Sequence, residues 1–155
     1  MSKIKLKGEN MKIPKFTNQG VELDFEVVEE GWNEYNLSDG STLRIRPIVV
    51  KIFDTKQKDS EENPVVGIAS TNIVTAKVPS ELKDREVINE SNDSKEYLEF
   101  EAMKEIWNRY RVDDDFMLRV KLVVSQVFRT TERNQFGEPV YRVKSDNVVG
   151  IEPLQ

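Results

Sequence analysis

Six basic residues in the C-terminal half stand at strand spacing: Arg109 and Arg111, Arg119 and Lys121, Arg142 and Lys144. Members of each pair are two residues apart, so on an extended chain they project from the same face. If the three segments pair as a meander, all six share one sheet face and make a basic patch. Arginine contacts phosphate or carboxylate bidentately, so such a patch suits RNA, DNA or an acidic protein. The corresponding N-terminal positions hold Glu34, Asn36, Arg44, Arg46, Gly67 and Ala69, which confines the patch to one half. A solvated face neutralised by nearby carboxylates accounts for the same residues without any partner.

Other chemistry is scarce. The 155 residues include no Cys and no His. That excludes disulfides, thiolate nucleophiles, the usual zinc sites and the side chain best suited to proton transfer near neutrality. No glycine-rich phosphate loop and no nucleophile with a partner base stands out. No catalytic residue, cofactor or metal site is therefore expected. Asp113, Asp114 and Asp115 gather three carboxylates but lack the oxygen-rich spacing of a calcium loop, and read as a solvated turn. Ser70 and Asn72, echoed by Ser145 and Asn147, read as turn residues bonded to their own backbone. Trp32, Tyr35, Trp107 and Tyr110 read as core rather than as a stacking platform for bases.

These residues are positioned by a pattern that the chain writes twice. Leu43–Phe53, LRIRPIVVKIF, is followed 75 residues later by LRVKLVVSQVF, Leu118–Phe128. Laying 23–79 over 98–154 without a gap gives 18 identities in 57 positions, among them Trp32/107, Asn33/108, Tyr35/110, Pro64/139 and Asn72/147. Such an offset reads as a tandem duplication of a small antiparallel β unit, barrel-like or sandwich-like, and the fold class as mainly β. A unit of about 58 residues buries little by itself, so the two are expected to share a core or pack tightly together.

The parts fall in order as a basic N-terminal arm (1–20), a first β repeat (21–79), a polar linker (80–95) and a second β repeat (96–155). The arm carries five lysines against Glu9, a net +4, while the whole chain is −5. At the head of each repeat two periodicities compete. Leu23, Val27, Val28, Trp32 and Tyr35 fall on one helical arc, yet Leu23, Phe25 and Val27 also alternate as in a strand. A short helix is the reading adopted for 23–35 and 98–110. Asp39-Gly40 predicts a tight turn. After it comes a long strand, and Pro47 places part of that strand at an edge or bulge. A polar hairpin tip, a return strand, a second turn and a last strand complete a four-stranded meander in each repeat.

No run of about 20 apolar residues suggests a membrane span, so a soluble cytoplasmic protein is the expectation. Together these readings favour a non-catalytic interaction or assembly module that binds a protein partner or itself. A nucleic-acid-binding protein using the six basic residues is the alternative.

Overall fold

The computed structural model describes residues 20–83 and 95–154. The basic arm up to residue 19 and the linker from 84 to 94 lie outside them. Among the described residues ten strands form two antiparallel five-stranded sheets, neither closed into a barrel. In the N-terminal half they are β1 (Val21–Leu23), β2 (Phe25–Glu29), β3 (Asn33–Leu37), β4 (Thr42–Lys58) and β5 (Pro64–Lys77). In the C-terminal half they are β6 (Lys95–Leu98), β7 (Phe100–Lys104), β8 (Asn108–Val112), β9 (Phe116–Arg133) and β10 (Pro139–Pro153). β2 and β7, and β3 and β8, coincide at an offset of 75.

Each half contributes a three-stranded meander, β3-β4-β5 or β8-β9-β10. Two of the expectations need correction here. Neither half has a second turn inside its return segment: β5 runs unbroken for 14 residues and β10 for 15. The return strand stays in register with β4 or β9 along nearly its whole length, absorbing mismatch at bulges rather than turning. Nor is there an α-helix at the head of either half; among the described residues the only helical piece is a single 3-10 turn, Ser80–Leu82. Residues 23–35 and 98–110 instead hold β2 and β7, with the ends of the flanking strands, because a strand there supplies the neighbour that the other half's meander lacks.

That supply is reciprocal. β1 pairs with β4 of its own half, but after Asp24 the chain changes sheets and β2 pairs with β8. Likewise β6 pairs with β9, and after Glu99 β7 crosses to pair with β3. Matching backbone bonds fix the crossings, from Asp113 N–H to the Asp24 carbonyl at 3.1 Å and from Ser38 N–H to the Glu99 carbonyl at 2.9 Å. A helix closes its hydrogen bonds internally and has none to offer a sheet edge, so long-range pairing overrides helical propensity. The helical arc is also not what is buried: Val27 and Val28 are exposed whereas Tyr35 is fully enclosed.

Two buried asparagines lock the exchange. Asn108 accepts from Gly31 N–H at 3.2 Å and donates to the Pro47 carbonyl at 3.1 Å. Asn33 accepts from Ile106 N–H at 2.9 Å. Pro47 lies where β4 has passed β3 and not yet met β1, so its missing N–H deprives no neighbouring strand. Gly31 admits the close approach of the two crossover loops, since a Cβ there would stand 2.8 Å from Ile106 Cδ1.

Both hydrophobic clusters draw on both halves. One joins Tyr35, Leu43 and Ile45 to Leu122, Val124, Val127 and Tyr141. The other joins Val49 and Ile52 to Tyr110, Val112, Leu118 and Val120. At roughly 1.5–3 kcal/mol for each large apolar side chain buried, dividing the halves would expose part of every cluster. Among the described residues no helix is long and apolar enough to cross a membrane.

Candidate functional site

Register decides what the six basic residues can do together. Arg109 stands opposite Arg119, and Lys121 follows two residues later on the same outer face. Arg119 lies over the Trp107 ring at 4.5 Å, with Lys121 Nζ 5.8 Å from the same ring. Gly150 opposite Arg119 makes room, since a Cβ there would meet Arg119 Nε at 2.8 Å. Arg142 and Lys144 instead pair with Phe128 and Gln126. Gln126 is five residues beyond Lys121 along β9, about 16 Å at strand rise. Arg111, opposite Met117, lies at the other end of β8 and lines a separate cleft. The six therefore divide into Arg109, Arg119 and Lys121 with Arg111 two residues further along β8, and a distant pair, Arg142 and Lys144.

The cluster is only partly neutralised, one carboxylate against three cations. Arg109 and Arg119 each approach Glu152 at 3.9 Å, and Arg142 pairs with Glu132 at 2.7 Å. The N-terminal half repeats the arrangement, with Arg44 over Trp32 at 4.5 Å and Glu34 3.9 Å from Arg44. Each indole thus already carries a guanidinium on a face that a base would need. Tyr35 and Tyr110 are wholly buried and offer no stacking surface.

The tyrosines have another task. Tyr35 donates to Glu105 Oε2 at 3.0 Å, and Tyr110 donates to Glu30 Oε2 at 2.8 Å, each bond joining one half to the other. Burial first, and then the adjacent carboxylate, raises both phenols far above the ordinary tyrosine value. They are fixed donors, not bases. A third tyrosine, Tyr141, bonds Ser41 Oγ at 2.8 Å and Asp39 Oδ2 at 2.7 Å. Burial raises Asp39, but bonds from Tyr141 and Ser41 and the charge of Arg129 at 3.2 Å outweigh it and leave its carboxyl below the usual value.

Ser70, Asn72, Ser145 and Asn147 lie within strands rather than at turns. Asn147 Nδ2 donates to Ser70 Oγ at 3.0 Å, and Asn72 Nδ2 to Ser145 Oγ at 3.5 Å. The residues retained at both positions are those through which β5 and β10 touch each other.

An acidic concavity among the described residues was not foreseen from the sequence. Two adjoining clefts of about 640 and about 530 Å³ share Leu23 and Asp113. Their apolar wall is Leu23, Phe25, Pro64, Phe116, Ile151 and Pro153. Asp24, Glu26, Asp113, Asp114 and Asp115 stand around them without an ion-pair partner among the described residues. Glu22, Asp54 and Glu152 add three more carboxylates, each with a cation nearby. Asp113 and Asp114 hold left-handed backbone, φ 46° and 56°, in the turn expected there. No group of three or more Asp or Glu among the described residues converges as a metal site would require. The sequence signal was present in the acidic run 113–115 and in Glu22, Asp24 and Glu26, but these come together only through the β2–β8 pairing.

No protein-family model, curated protein or solved structure matches this chain.

Proposed function

We propose that this chain is a non-catalytic assembly module, descended by tandem duplication of one β unit, that associates with a second copy through the free edge of β5. The observation carrying this reading is the run Ser70–Thr75, STNIVT: six consecutive exposed residues without a charge, on a strand paired on one side only. An uncharged, extended edge presents unpaired N–H and C=O groups and is a template for another strand. Ile73 and Val74 add apolar surface to it. The other edges are better guarded. The matching run of β10 includes Asp146 and Gly150, and β2 and β7 carry Glu26, Glu29, Glu101 and Lys104. Two β5 edges meeting antiparallel about a two-fold axis form a closed, isologous contact.

Support for duplication comes from reciprocal contacts at the same offset: Tyr35–Glu105 answers Tyr110–Glu30, and Ser70–Asn147 answers Ser145–Asn72. A homodimer that swapped β2 and was then joined into one chain accounts for this pattern. The test is light scattering across a concentration series. The wild-type mass rises above the 18.0 kDa of one chain, and Thr71→Lys with Ile73→Lys returns it to that value without changing the circular dichroism spectrum. A wild-type chain that stays monomeric, or an edge variant that still associates, overturns the reading. If RNA or DNA is the partner instead, binding appears in the unassociated chain and weakens steeply with salt.

A further inference from the structure

The two ends of the molecule are built from corresponding residues, yet only one is covered. At the first, Val78 enters the core and Leu82 packs against it. Arg133 donates to the Leu82 carbonyl, and Lys83 reaches Glu138 at 3.9 Å. Tyr141 closes the remaining space, with its hydroxyl on Ser41 and Asp39. At the second end the residues offset by 75 are Pro153 for Val78, Lys58 for Arg133, Asn63 for Glu138 and Val66 for Tyr141. Valine is much smaller than tyrosine, a loss only partly offset by Phe116 at the position of Ser41. What remains is the cleft of about 530 Å³ over Leu23, Pro64, Phe116 and Ile151.

We propose that residues 1–19 of the same chain occupy this cleft, as the counterpart of the Leu82 segment at the other end. The place where the chain arrives is the first argument. Gly20 sits so close to Asp54 that a Cβ would stand 2.6 Å from the Asp54 carbonyl oxygen, and Asp54 and Leu23 are both walls of the cleft. The segment therefore starts at the rim, and 19 residues can extend about 60 Å, far more than the cleft requires. Charge is the second. The segment brings Lys3, Lys5, Lys7, Lys12 and Lys15, a net +4, to a rim where Asp113 and Asp115 have no ion pair among the described residues, nor have Asp24, Glu26 and Asp114 of the adjoining cleft, whose one lining cation is Arg111. Pattern is the third. Ile4 and Leu6 alternate with lysines, so one face suits the apolar wall while the other meets the acidic rim. This inference does not depend on the β5 edge.

The chain lacks cysteine, so Lys5→Cys carries a single nitroxide on the full-length protein. The label broadens the backbone amide signals of Leu23, Phe116 and Ile151 in the same ¹⁵N-labelled molecule. The broadening is lost in about 1 M salt, where the screening length falls to about 3 Å. It is also lost in the isosteric variant Glu26→Gln, Asp114→Asn, Asp115→Asn, whose dispersed spectrum shows that the fold persists. Broadening absent from the cleft, or unaltered by the neutral variant, overturns the proposal. So does broadening seen only when spin-labelled unenriched chain is mixed with label-free ¹⁵N chain, which would assign the cleft to a second copy's arm.

Discussion

Replacing Tyr110 by Phe should destabilise the fold more than replacing Tyr35, although the two occupy corresponding positions. Both rings are completely buried, and either substitution removes one hydroxyl donated to a carboxylate of the other half. What differs is the carboxylate. The Glu30 side chain is only 10% exposed and has Arg46 at 3.5 Å, so water cannot easily replace the lost donor. Glu105 is exposed, and water can. A hydrogen bond to a charged group contributes about 1.5–3 kcal/mol when nothing replaces it, and an ordinary replaceable one about 0.5–1.5 kcal/mol. Tyr110→Phe should thus cost about 2 kcal/mol and Tyr35→Phe about 1 kcal/mol. With a urea slope of about 2 kcal/mol per molar, the midpoints fall by about 1 M and about 0.5 M at unchanged slope. Equilibrium urea unfolding followed by tryptophan fluorescence resolves this difference. Combining Tyr110→Phe with Glu30→Gln in a double-mutant cycle should return a coupling energy of the same order as the Tyr110 loss. Equal midpoint shifts, or a larger one for Tyr35→Phe, would refute the argument that carboxylate exposure sets the cost.

The network at the covered end gives two pH predictions. The Asp39 carboxyl lies below its ordinary value in the folded state, so its contribution is present above that value and lost as pH falls through the folded one; wild type should lose stability below about pH 4 more steeply than Asp39→Asn in acid urea titrations. Burial first, together with the Asp39 carboxylate, pushes Tyr141 up from 10.0 to about 12, so its contribution is intact below pH 10 and lost as pH rises towards about 12. Over that interval wild type should fall about 2–3 kcal/mol further than Tyr141→Phe, and parallel alkaline curves would contradict this.

The amino-acid sequence by itself determined the repeating plan: an offset of 75, a long strand in each half, and a turn at Asp39-Gly40, where Gly40 has φ 91°. These are local signals, carried by side-chain alternation and by residues that tolerate left-handed backbone. Hairpin arithmetic was legible as well. A tip at 134–138 places Arg142 opposite Thr130, and a bulge then moves it to Phe128; either position is far along β9 from Arg119, which is enough to divide the basic patch. Partner choice was not legible. Because the halves share so many residues, β2 meets similar hydrogen-bonding and apolar demands beside β3 or beside β8, and nothing local distinguishes the two. The tertiary structure chose β8, through the crossings at Asp24 and Glu99 and the side chains of Asn33 and Asn108. That choice turned the expected helices into strands, mixed both cores, and brought Glu22, Asp24 and Glu26 beside Asp113 and Asp114. Backbone pairing is indifferent to which chemically equivalent strand fills an edge, so only packing of the whole molecule could decide it.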